Sequence, residues 1–175
     1  VTAPPGNIKF VEYITDLTDD LGVRAALRSG LGRPVERADR MHAYLSPWTT
    51  SSKPHEEAVR YTVASLIAHR PVGAIPGKAP GNIGASIARY TAVAANTRES
   101  SVHLLSRQPA GALCRMLTRI VVPMRSDDVA IDFATLLQDA TRWPRYRNDT
   151  ARRWLQAFYR AQNLDQDAET SIAAE

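Results

Sequence analysis

The sequence predicts an all-helical bundle, on three observations. Apolar residues recur at three- and four-residue spacing over most of the 175 positions. Gly, Pro, Asp and Asn punctuate those stretches where helices start and stop. The one run that reads as a strand, residues 119–122, is cut short by Pro123.

Residues 8–21 place Phe10, Val11, Ile14, Leu17 and Leu21 on a single stripe that Gly22 ends. Residues 23–29 make a short second helix closed by Gly30. A third candidate covers 33–44, with Pro34 suited to a first helical turn. Residues 46–54 read as loop by composition. Residues 56–69 are amphipathic through Val59, Val63, Leu66 and Ile67. The stretch from Arg70 to Pro80 holds three prolines and two glycines, and is the expected mobile connection. Helices resume over 82–95, 98–106 and 110–124. Asp127 or Asp128 caps a helix over 129–142, and Asn148 or Asp149 caps another over 150–162. The expected organisation is a disordered start (1–7), one helical body (8–163) with halves 8–70 and 81–163, and an acidic tail (164–175).

At 44% apolar content, this length can bury a core. No apolar run approaches the roughly 20 residues of a membrane-crossing helix. The start, Val1-Thr2-Ala3-Pro4-Pro5-Gly6, has neither a basic segment nor an apolar one, so no secretion signal is expected. The single cysteine, Cys114, excludes an internal disulfide and fits a reducing cytosol, where a small buried residue on a helix is its expected role.

Little in the chain suggests catalysis. Four histidines are scattered without metal-ligand spacing, and His55-Glu56-Glu57-Ala58-Val59 lacks the second histidine of a zinc-protease helix. Gly77-Lys78 lacks the glycine spacing of a phosphate loop. Asp132 and Asp139, two turns apart, suit caps, surface or interfaces better than an acid–base pair. Gly81-Asn82-Ile83-Gly84 is similar to the backbone clamp of a KH domain, but without flanking strands it reads as a turn into a helix. No catalytic constellation, metal site or cofactor is expected.

The basic residues carry the functional signal. Of 22, 19 are arginine and three are lysine. Arginine presents a planar fork of donors that matches phosphate oxygens. Asp165, Asp167, Glu169 and Glu175 gather after Leu164, leaving residues 1–163 with a balance of +8. Residues 107–160 hold ten arginines against five acids. On the 110–124 helix the apolar residues fall within an arc of about 140°, with Arg115 and Arg119 opposite. Arg153 and Arg160 share the polar face of the last helix, and Arg142, Arg145 and Arg147 crowd the connection before it. Arg24 and Arg28 stand one turn apart near the start. Such an excess over several helices suits a surface that tracks phosphates. Tyr44, Trp48, Tyr90 and Tyr146 have the chemistry to stack on bases, although core packing is the commoner fate; Trp143 and Trp154 are expected in the core.

One block is more specific. Ile131-Asp132-Phe133, Leu136-Leu137, Asp139, Trp143, Arg153-Trp154 and Phe158-Tyr159 resemble the signature of the CasB small-subunit family of the type I-E CRISPR Cascade complex. Arg24-Ala25-Ala26-Leu27-Arg28 resembles that family's early arginine motif, and Gly84-Ala85-Ser86-Ile87-Ala88-Arg89 its central glycine-to-helix motif. Glu99-Ser100-Ser101-Val102 with Leu104-Leu105 resembles the segment that follows, in the family's order. The resemblance implies a non-catalytic, cytoplasmic, all-helical subunit with two small bundles. It also implies contacts to guide RNA (crRNA), target DNA and displaced DNA, to the large and backbone Cascade subunits, and to further copies of itself. By motif position, Arg28, Arg89 and Arg119 carry over best as nucleic-acid-binding residues, followed by Arg24, Lys53, Arg115, Arg147 and Arg153. The chain departs from the pattern at Val102-His103, where many members have paired arginines, at Phe133, where tryptophan is frequent, and at Ser29, where a second arginine is frequent.

The alternatives are a helical DNA-binding regulator and a basic scaffold that meets acidic proteins. A regulator needs an exposed recognition helix, and residues 23–29 are too short and apolar for one. On this reading Arg119→Ala and Arg153→Ala leave helicity and complex assembly intact but weaken DNA retention and reduce its salt dependence.

Overall fold

The computed structural model describes the backbone of residues 5–70 and 81–172 and the side chains of those residues up to 164. The expected mobile connection at 71–80, and the first four and last three residues, lie outside the described residues. Among the described residues every regular element is helical. They are α1 (Pro5–Leu17), α2 (Leu21–Arg28), α3 (His42–Thr49), α4 (Pro54–His69), α5 (Ile83–Ala88), α6 (Ala95–Ser106), α7 (Ala110–Val121) and α8 (Phe133–Ile172). Short 3-10 turns at Val35–Arg37, Asp39–Met41 and Pro123–Asp127 link them.

The predicted stripe of α1 is real, with Phe10, Val11 and Ile14 fully buried. Its end is not where Gly22 suggested. Helix α1 stops at Leu17, and Asp20 accepts a hydrogen bond from Val23 N at 2.9 Å to start α2. Leu21 therefore leaves the stripe and stands exposed. Pro5 opens α1, so the start expected to be disordered is helical from there onward.

Residues 46–54, read as loop, contain half of α3, with Pro47 inside the helix. Tertiary contacts override the composition. Trp48 meets Phe10 edge-on at 5.3 Å and Tyr13 at 5.6 Å. The Tyr13 hydroxyl donates to Tyr44 O and Arg60 donates to Trp48 O. The helix expected over 33–44 is instead two 3-10 turns leading into α3.

Helix α5 begins at the predicted turn: Gly81 has φ +113° and the Asn82 side chain accepts from Gly84 N at 3.0 Å. It ends at Ala88 rather than continuing to 95. The amides of Thr91 and Ala92 bond to Asp127 Oδ2 at 2.6 and 3.1 Å, with the Thr91 hydroxyl at 2.9 Å. Asp127 is thus a clasp across the molecule and not a cap for the helix that follows, while Asp128 adopts a left-handed φ of 46°. The cap of α8 is Asp132, which accepts from Thr135 N at 2.9 Å and from the Thr135 hydroxyl at 2.8 Å.

The two C-terminal helices expected on either side of a loop run into one another at a kink, without the loop, and are described together as α8. Backbone dihedrals leave the helical range only at Tyr146 (φ −125°, ψ 29°), two residues after Pro144, as expected where proline removes a backbone donor. Neither Asn148 nor Asp149 opens a new helix. The backbone of α8 continues to Ile172, into the acidic stretch expected to be disordered. Helix α8 packs against α1, α4, α5 and α6, and α4 against α1, α2 and α7. Trp143 and Trp154 stack at 4.7 Å on either side of the kink, both fully buried as expected.

Candidate nucleic-acid interface

The close approach of α5 to α8 stands beside a hollow that carries several of the candidate arginines. A Cβ on Gly84 would lie 1.9 Å from Trp154 O, so only glycine lets α5 rest on the backbone of α8. Asn82 strengthens the crossing by donating to Arg153 O at 3.3 Å. Beside it opens a concavity of about 400 Å³ whose wall carries Arg89 from the end of α5 and Arg153 and Arg160 from α8.

Two acids also line this concavity, and both are engaged from within. Asp132 caps α8. Asp139, almost fully buried, accepts from Arg153 Nη2 at 2.8 Å through Oδ1 and from Trp154 Nε1 at 2.7 Å through Oδ2. Burial holds its carboxyl above the usual range, against the pull of the Trp154 N–H and the Arg153 charge. Arg153 Nη2 also reaches the buried Thr150 hydroxyl at 3.2 Å. Arg153 is therefore tied to a buried carboxylate, which corrects the expectation that it stands free on a polar face.

The other arginines are spread more widely. Arg115 and Arg119 are both exposed, as the wheel of α7 predicted. They line different hollows, Arg115 one of about 620 Å³ with Arg33 and His55, and Arg119 one of about 170 Å³ with Arg98 and Tyr90. Cys114 is only half-buried at the edge of the first hollow, and burial raises its thiol pKa. Arg28 is exposed on α2 and Arg24 half-buried, while Lys53 stands exposed before α4. Arg147 is exposed beside the α8 kink, where Arg142 and Arg145 lie over the Tyr146 ring at 4.5 and 5.4 Å. Trp48, which the sequence left open as a base-stacking group, packs against α1 instead.

Sequence reading left Arg160 outside the candidate set, although its seven-residue spacing from Arg153 was the signal that joins them in one concavity. It also missed a second cationic cluster. His69 is pushed below its ordinary pKa by burial first and then by the charges of Arg125, Arg28 and Arg70. Arg70 is buried and bonded to Val129 O. These residues come from α2, the end of α4 and a 3-10 turn, so no local spacing announces them.

Among the described residues, few arginines meet a carboxylate. Among the described residues, carboxylates lie within 4.0 Å of two arginines, Arg152 (Asp149, 3.6 Å) and Arg153 (Asp139, 2.8 Å). No helix of the described residues is long and apolar enough to cross a membrane. Fold and surface together define an all-helical protein in which, among the described residues, most arginines have no carboxylate within 4.0 Å.

Comparison with known proteins makes the class specific. The family model of the CRISPR-associated protein Cse2 matches residues 23–159, and the chain belongs to that family. A chain of a solved CRISPR RNA-guided surveillance complex shares 30% identity with it, covering 93% of this chain and 97% of the other, with a TM-score of 0.80. A chain from such a complex described as pre-nicking shares 28% over the same proportions, with a TM-score of 0.80. CasB from Thermus thermophilus, at 23% identity over 89% of this chain and 97% of its own, has the same fold with a TM-score of 0.74. No sequence among the curated proteins matches.

Proposed function

We propose that this chain is the non-catalytic small subunit of a Cascade-type RNA-guided surveillance complex. In this role it grips the backbones of guide RNA and target DNA and steadies the displaced DNA strand, in the cytoplasm. The carrying observation is the likeness over nearly the whole chain to a subunit of such a complex, at 30% identity. The open arginine surface supports it physically. In RNA-guided recognition base pairing reads the sequence, so a subunit of this kind needs phosphate-facing cations and no base-reading motif. The proposed partners are crRNA, target and displaced DNA, the large and backbone subunits, and a second copy of the chain.

Residues 8–163 serve as one nucleic-acid-binding unit on this reading. Arg89, Arg153 and Arg160 form its inner grip, while Arg115 and Arg119 lie along α7. Arg24, Arg28, Lys53 and Arg147 supply further backbone contacts.

The test is co-purification of the tagged chain with its partners and sequencing of the bound RNA. Guide RNA with the other subunits is the expected result; a preparation free of nucleic acid that captures only acidic proteins supports the scaffold alternative. In the purified complex, Arg115→Ala with Arg119→Ala should lower DNA affinity and flatten its dependence on log salt by about 0.7–0.9 for each phosphate no longer neutralised. An unchanged slope removes α7 from the interface.

A further inference from the structure

We propose that Asp139 is a positioning residue, which anchors one corner of the Arg153 guanidinium from beneath the concavity and so holds its Nη1 amino group ready for a backbone phosphate. The inference rests on the nucleic-acid reading above and names the group that makes Arg153 serve it.

The Asp139 and Thr150 contacts of Arg153 both use Nη2. No hydrogen bond to a described residue occupies Nε or Nη1, and the side chain keeps 38% of its exposure while that of Asp139 keeps 7%. One end of the guanidinium is fixed and the other is open. Both two-pronged edges of a guanidinium include Nη2, so the open end meets a phosphate through single charge-assisted N–H bonds from Nη1. A side chain ordered beforehand loses less rotamer freedom when the ligand arrives.

Asp139 is itself held. Its second oxygen accepts from Trp154 Nε1, and Trp154 is confined between the Trp143 ring and the backbone approach of α5 at Gly84. Asp132, the other acid of the concavity, is turned inward to cap α8. With both carboxylates committed internally, the wall offers a ligand Arg89, Arg160 and the Nη1 end of Arg153.

The experiment uses the reconstituted complex carrying Asp139→Asn, Arg153→Ala or both, titrated with a fluorescently labelled target duplex. Arg153→Ala should weaken binding about tenfold, the scale of removing one charge-assisted hydrogen-bonding group. Asp139→Asn should weaken it about fivefold, the scale of one side chain released from its ordered state. The double variant should bind no more weakly than Arg153→Ala alone, because Asp139 acts only through Arg153. Trp154→Phe keeps a ring against Trp143 but deletes the N–H to Asp139, so it should weaken binding in the same direction as Asp139→Asn. It also keeps the test open if Asp139→Asn fails to fold. Wild-type binding by a folded Asp139→Asn complex, or losses that add in the double variant, overturns the positioning role and leaves the nucleic-acid role standing. Unchanged binding in Arg89→Ala, Arg153→Ala and Arg160→Ala together sinks the nucleic-acid reading itself.

Discussion

Helices α7 and α8 look alike on a helical wheel, each with an apolar stripe and arginines on the other side. Their surroundings differ. On α7, Arg115 and Arg119 are exposed, and no carboxylate of a described residue lies within 4.0 Å of either. On α8, Arg153 is bonded to a carboxylate from before the kink, which is buried and hydrogen-bonded to Trp154. A charge left in water contributes to long-range attraction for a polyanion, whereas a charge held against a buried partner also contributes to the fold. Periodicity shows which side of a helix is polar; it does not show what stands across from it.

The crossing that makes α8 different can be broken most directly at Gly84. In an ordinary helix, glycine to alanine is favourable by about 1 kcal/mol. Here the added methyl meets backbone at 1.9 Å, and Gly84→Ala should instead cost about 3 kcal/mol, the upper range for overpacking. Denaturant melts of the purified chain read this sign reversal.

A smaller effect sharpens the contrast between the two helices. Arg153→Ala leaves the buried Asp139 without its cation and should cost about 1–2 kcal/mol, less than a wholly buried pair because Arg153 is partly solvated. Arg119→Ala should stay within about 0.5 kcal/mol. Equal midpoints for the two variants in urea titrations would erase the distinction.

The smallest effect concerns the Asp127 clasp between the last 3-10 turn and the turn after α5. The Thr91 hydroxyl, with the amides of Ala92 and Thr91, holds the Asp127 carboxyl below the usual range. Its contribution to stability is therefore complete at neutral pH. It begins to fade as pH falls through about 4, the unfolded value, and is lost below the depressed folded value. Thermal melts of wild type and Asp127→Asn should differ at pH 7 and converge as the pH is lowered toward 2.

Much of the fold was legible because helix faces follow local spacing. The stripes of α1, α4 and α7, the turn into α5 and the buried Trp143 and Trp154 all follow from which side chains avoid water. Legibility failed where distant groups supplied what local sequence lacked. Pro47 sits in a helix because Trp48 packs on α1. The 82–95 helix stops early because Asp127 takes the amides of Thr91 and Ala92. Of the candidate residues, Arg89 and Arg153 meet in one concavity, while Arg115 and Arg119 line separate hollows. Arg160 joins the first two because it stands seven residues beyond Arg153 on the same face of the segment after the kink.

By itself the sequence determined that this chain is helical, basic and rich in arginine, and its ordered motifs carried the family likeness. These properties follow from composition and from spacing over a few residues, where the 3.6-residue repeat links each side chain to its neighbours on the same face. Only the tertiary structure decided which arginines are free and which is anchored. An ion pair such as Arg153–Asp139 depends on a bend in α8 and on the tryptophan packing beneath it, and electrostatic partners are chosen by distance in space, to which spacing along a chain is no guide.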